Sequence, residues 1–77
     1  MIKILLFAEL QEKAGADQLE LEMEQITVTE LKDELKSHYQ LAELDQVMTA
    51  INEEYAMNDD VVLAGDTVAF IPPVSGG

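Results

Sequence analysis

The sequence predicts an α+β domain in which one main helix lies across one face of a mixed sheet of about five strands. Three observations carry that expectation: a β-rich apolar run near each end of the chain, a strictly alternating segment between them, and a single helix with a complete start signal. The 77 residues are enough for one core and too few to divide between two. No Ser-rich or Pro-rich linker and no internal repeat interrupts them.

Residues 2–7, Ile-Lys-Ile-Leu-Leu-Phe, form a short apolar run and read as a buried strand. Residues 18–24 alternate Leu19, Leu21 and Met23 against Glu20, Glu22 and Glu24, the pattern of a strand with one wet face. Gly15-Ala16-Asp17 is expected to join the two as a hairpin turn. Thr27-Val28-Thr29-Glu30 fits a capping box and starts the helix, with Val28, Leu31 and Leu35 on one stripe and His38 near the negative end of its dipole. Residues 41–44 add a short helical turn. Residues 47–51 read as a strand closed by a turn at Asn52, Val61–Leu63 as a short strand, and Thr67–Ile71 as the last one. Pro72-Pro73 must stop it, because proline offers no ladder donor. The order strand, strand, helix, two short strands, strand is that of a β-grasp domain over residues 1–71, followed by an extended tail over 72–77.

Alternation assigns Ile2, Ile4 and Leu6 to one face of the first strand and Lys3, Leu5 and Phe7 to the other, which Lys3 marks as wet. In the last strand Val68 and Phe70 point to the helix, and Thr67, Ala69 and Ile71 away from it. Phe7 and Ile71 are then expected as an exposed apolar patch at the tail's root, joined by Tyr55, with acidic residues as a polar rim.

The charge balance excludes several function classes. Four lysines, no arginine and sixteen acidic residues give a net charge of −12, a field that repels phosphate backbones and anionic headgroups. Neither nucleic acid nor a membrane is an expected partner; the acidity reads either as a solvated surface that keeps a small protein in solution or as steering toward a basic protein surface. No cysteine is present to form a disulfide, a thiolate metal site or a catalytic thiol, and a lone His38 with the pairs Glu53-Glu54 and Asp59-Asp60 makes no metal site. The first residues lack the basic lead and apolar length of a signal peptide or membrane span, so a cytoplasmic location is expected. No glycine-framed serine and no phosphate-cradling loop appears.

The chemistry is expected in the tail. Pro72 and Pro73 favour a stiff exit, Val74 and Ser75 extend it, and Gly76 and Gly77 have no side chains, so they fit a channel too narrow for other residues. Six residues reach at most about 20 Å. The Gly77 carboxylate at the far end becomes an electrophile once converted to an acyl phosphate or an acyl adenylate.

Residues 4–10, Ile-Leu-Leu-Phe-Ala-Glu-Leu, the stretch Thr27-Val28-Thr29-Glu30-Leu31, the Ile51-Asn52 turn and the block from Leu63 through Phe70-Ile71-Pro72-Pro73-Val74-Ser75-Gly76-Gly77 together resemble the small subunits of molybdopterin synthase, ubiquitin-like proteins of β-grasp fold. The resemblance implies that a ubiquitin-activating-enzyme-like adenylyltransferase uses ATP to adenylate Gly77, and that a sulfur donor protein converts the adenylate to a thiocarboxylate. The tail then enters the large synthase subunit, in a heterotetramer of two small and two large subunits, and gives sulfur to cyclic pyranopterin monophosphate to build the molybdopterin dithiolene. It implies no cofactor bound to the carrier itself and catalytic side chains on the large subunit. Gln11 stands where the family frequently has arginine. Two other readings share the fold and the Gly-Gly end: the sulfur carrier of thiamin thiazole synthesis and a ubiquitin-like protein modifier.

Overall fold

The computed structural model describes residues 1–72. Its strands are β1 (Ile2–Leu6), β2 (Gln18–Leu21), β3 (Gln25–Thr27), β4 (Met48–Ile51), β5 (Glu54–Ala56), β6 (Val61–Leu63) and β7 (Thr67–Ile71), with helices α1 (Glu9–Ala14) and α2 (Val28–Tyr39). A 3-10 turn, Ala42–Gln46, follows α2. Five strands form a mixed sheet in the order β2-β1-β7-β4-β5, while β3 and β6 pair separately as a two-stranded ribbon. β1 and β7 run parallel at its centre, with Ile4 opposite Val68 and Leu6 opposite Phe70. That confirms the β-grasp expectation, and the structure adds that the first and last strands are direct neighbours.

The core lies on the helix side. Ile2, Ile4, Leu6, Val68 and Phe70 present one face of the central strands, and Val28, Leu31 and Leu35 of α2 cover it, all essentially fully buried. Thr27 caps α2 as expected: its hydroxyl accepts from the Glu30 amide at 3.2 Å, and the Glu30 carboxylate accepts from the Thr27 amide at 3.2 Å. The next amides, of Val28 and Thr29, donate to the Asp60 and Asn58 carbonyls, so the segment before β6 satisfies donors that the helix leaves over.

Four expectations need correction. The link between β1 and β2 is no bare hairpin turn: α1 lies between them, and Gly15, at φ 77°, is its left-handed C-cap, donating to the Gln11 carbonyl. The second strand stops at Leu21, because its partner in the ladder is Ile2 and β1 offers nothing beyond it to pair with. Val61–Leu63 belongs to the β3–β6 ribbon and not to the main sheet. Finally, Asn52 opens a hairpin into β5, a strand absent from the expected order. Asn52 and Glu53 both have positive φ, 51° and 71°, as a two-residue turn compatible with strand twist requires.

Candidate functional site

The face of the sheet opposite α2 carries no covering layer among the described residues. Leu5 from β1 and Phe7 just after it, Thr67, Ala69 and Ile71 from β7, Ala50 from β4 and Tyr55 from β5 line one groove there of about 560 Å³. Its depth has a simple cause. Ala50 and Ala69 are direct partners across the β4–β7 ladder, so two methyl groups form a floor between larger walls.

Phe7, Ile71 and Tyr55 are brought together as the sequence suggested, but not equally exposed. Phe7 is 41% exposed and Tyr55 74%, whereas Ile71 is half-buried between its neighbours in the ladder. Of the expected acidic rim, Glu53 alone lines the groove among the described residues, while Lys3 shares the same face of β1. The sequence reading put Ala69 on this face but missed Ala50 and the pairing of the two, which depends on β4 and β7 being neighbours. It also missed the device at the groove's far end. The Asn52 side chain donates to Asp66 at 2.9 Å and accepts from the Thr67 amide at 2.9 Å, and the second Asp66 oxygen accepts from the Leu63 amide at 2.9 Å. The Leu63 amide first, then the Asn52 side chain, hold the Asp66 carboxyl below its ordinary range.

The tail's root lies at the other end. β7 stops at Ile71, and Pro72 lines a hollow of about 270 Å³ with Ala8, Glu9, Leu10, Glu43, Gln46 and Val47. The strand end beside it is fixed by Gln11, whose side chain donates to the Leu6 carbonyl at 2.9 Å. Gln11 thereby acts as a clamp within the chain, tying α1 to the end of β1. Ala8 holds φ 51° and ψ −124°, a conformation that favours glycine. Pro73, Val74, Ser75, Gly76 and Gly77, the remaining expected tail residues, lie outside the described residues. Among the described residues no three His, Asp or Glu side chains form a group that could hold a metal, and no helix is long and apolar enough to cross a membrane.

A mixed sheet clasping one helix, an open apolar face and a last strand ending at that face define the class: a ubiquitin-like β-grasp protein. Comparison with known proteins narrows it. The chain belongs to the ThiS family, whose model matches residues 4–77. It is 36% identical to the molybdopterin synthase sulfur carrier subunit of Escherichia coli (strain K12), an alignment covering 100% of both chains. A solved structure from Pyrococcus furiosus, described as subunit 1 of a molybdopterin converting factor, is 30% identical, with a TM-score of 0.82 over 95% of this chain and 97% of that one. The crystal structure of SAMP1, a small archaeal modifier protein from Haloferax volcanii, is 28% identical, with a TM-score of 0.79 over 99% of this chain and 98% of that one.

Proposed function

We propose that this chain is the sulfur carrier subunit of a molybdopterin synthase, and that Gly77 is the residue that carries the sulfur. The reading is supported by the alignment with the Escherichia coli carrier over the whole of both chains. The structural observation that carries it is the position of Ile71, which is at once the last residue of β7 and part of the groove wall. A partner seated on the groove is thereby placed where the tail begins.

In this reading a separate adenylyltransferase supplies the nucleotide chemistry. The Gly77 carboxylate attacks the α-phosphorus of ATP and pyrophosphate leaves; sulfur delivered by the donor at the sulfide level then bonds to the acyl carbon and expels AMP, leaving a thiocarboxylate. Gly76 and Gly77 pass into the large synthase subunit because nothing projects from them, while Pro72, Pro73, Val74 and Ser75 span the approach. The large subunit contributes the acid, base and phosphate-binding groups, and two carriers deliver the two sulfurs that convert cyclic pyranopterin monophosphate to molybdopterin. Phe7, Tyr55 and Ile71 dock the carrier on both partners in turn, in the cytoplasm, and the carrier holds no cofactor of its own.

Intact-mass measurement tests the reading. After incubation with ATP, a sulfur donor and the activating enzyme, one oxygen should be replaced by sulfur, and deletion of Gly76 and Gly77 should abolish the change. Persistent absence of that change in the full chain would overturn the proposal. The likeness to a small archaeal modifier favours a second reading, in which Gly77 is joined to lysines of other proteins. Conjugates that survive thiol reductants on a denaturing gel would establish it. Transfer of sulfur to the thiamin thiazole acceptor enzyme, but not to the large synthase subunit, would instead reassign the pathway.

A further inference from the structure

Behind the edge strand β5, around its rim from the apolar groove, a second cavity of about 330 Å³ opens between α2, the start of β4 and residues 55–58. Two of its walls are polar groups with unspent hydrogen-bonding capacity. Lys32 of α2 is only 9% exposed, and its ammonium donates to one neutral acceptor, the Asn58 side-chain oxygen, at 2.9 Å. No carboxylate lies within ion-pair distance of it among the described residues, although the chain carries sixteen acidic side chains. Lys13 and Lys36 each have an acidic partner; the buried lysine does not. An ammonium has three donors, so two remain available. Thr49 of β4 is 4% exposed, and its hydroxyl is buried with no hydrogen-bond partner.

A buried cation without a counter-charge and a buried hydroxyl without a partner are both costly, and here they border one cavity. We propose that this cavity is a recognition site for a carboxylate side chain presented by a partner protein, with the Lys32 ammonium and the Thr49 hydroxyl as its donors. The ammonium excludes a metal ion. A free multivalent anion would have to approach a molecule of net charge −12, whereas a single carboxylate delivered on a protein surface is carried in by the contacts around it. Asp45 on the wall does not compete for Lys32, because its two oxygens are 2.9 and 3.2 Å from the Lys36 ammonium.

The mouth supplies those surrounding contacts. Met48, Tyr55 and Met57 are 48%, 74% and 72% exposed and border the cavity, giving an adaptable apolar lip to residues flanking the carboxylate. Tyr55 also lines the main groove, so one partner can cover both sites across the β5 edge.

The test is a nuclear magnetic resonance titration of the full chain, labelled at methionine and threonine methyls, with a short capped peptide bearing one glutamate between two leucines. Its glutamine counterpart is the comparison. The glutamate peptide should shift Thr49, Met48 and Met57 saturably and bind about tenfold more tightly than the glutamine peptide, the margin of a charge-assisted bond. Lys32→Met and Thr49→Val should each reduce that preference, and Lys32→Arg should retain it. Thr49→Val keeps the side chain's shape, so the test stands even if Lys32→Met fails to fold. Equal affinity for the two peptides, or saturable shifts confined to residues away from the cavity, would overturn the proposal. Neither result depends on whether Gly77 carries sulfur.

Discussion

The two faces of the sheet are built from the same strands and reach opposite ends. In β1, Ile2, Ile4 and Leu6 are at most 1% exposed beneath α2, whereas Phe7, which follows directly on the other face, is 41% exposed. In β7, Val68 and Phe70 are fully buried, while Ala69 and Ile71 between and beyond them wall an open groove. Side-chain chemistry does not separate the two sets, since both are apolar. Coverage does: one face has a helix and the other has none among the described residues. Cohesion is thereby assigned to one face, and the opposite face can be apolar without contributing much to it.

The largest effect expected from that division is on the covered face. Phe70→Ala should cost about 3–5 kcal/mol, a substantial part of the roughly 4–11 kcal/mol available to a chain of this length, and calorimetry should show partial or complete unfolding. Phe7→Ala, on the open face, should cost about 1 kcal/mol of stability or less while weakening binding to the large synthase subunit by about 1–3 kcal/mol. Titration calorimetry beside thermal melting distinguishes the two; a Phe7→Ala protein that melts like Phe70→Ala would break the comparison. Thr27→Ala removes the hydroxyl that caps the covering helix and should lower stability by about 0.5–2 kcal/mol, read as a shifted urea midpoint with the groove's affinity unchanged.

The smallest effect concerns Asp66 at the end of the groove. Its folded pKa is depressed, so its contribution to stability is fully present above the unfolded value near about 3.9 and is lost as pH falls through the lower folded value. Asp66→Asn should therefore be slightly less stable than wild type at neutral pH, by an amount that disappears in acid. A difference that stays constant to low pH would show that the carboxyl's charge is not what closes the Asn52 turn.

Much of this architecture was legible because its signals are local. The capping box at Thr27 and the stripe of Val28, Leu31 and Leu35 place the start of α2 and its buried face, and the alternation around Lys3 and Phe7 assigns the faces of β1 correctly. What was missed depends on partners distant in the chain. Met23 is half-buried and continues the alternation of β2, but the pairing ends at Leu21 because β1 does, which residues 18–24 do not reveal by themselves. α1 is six residues with one buried side chain, Leu10, too few for a period to emerge, so Gly15 read as a turn and not as a helix cap. β5 is three residues whose identity as a strand comes from pairing with β4. At the site, Phe7, Ile71 and Tyr55 could be named in advance. The Ala50–Ala69 floor and the Lys32–Thr49 pair could not, because their roles follow from which strands and helix are neighbours.

The parallel contact between β1 and β7 also sets a clock. Ile4 and Val68 are direct partners although nearly the whole chain separates them, so the central ladder has to close a very large loop. Domains dominated by such distant pairings fold slowly for their size. β1 is made first, and the edge that β7 occupies stays unpaired until β7 has been made and is free to reach it. The central ladder thus forms only once the last strand is available, and a chain cut short before Thr67 lacks Val68 and Phe70 and with them the middle of its core.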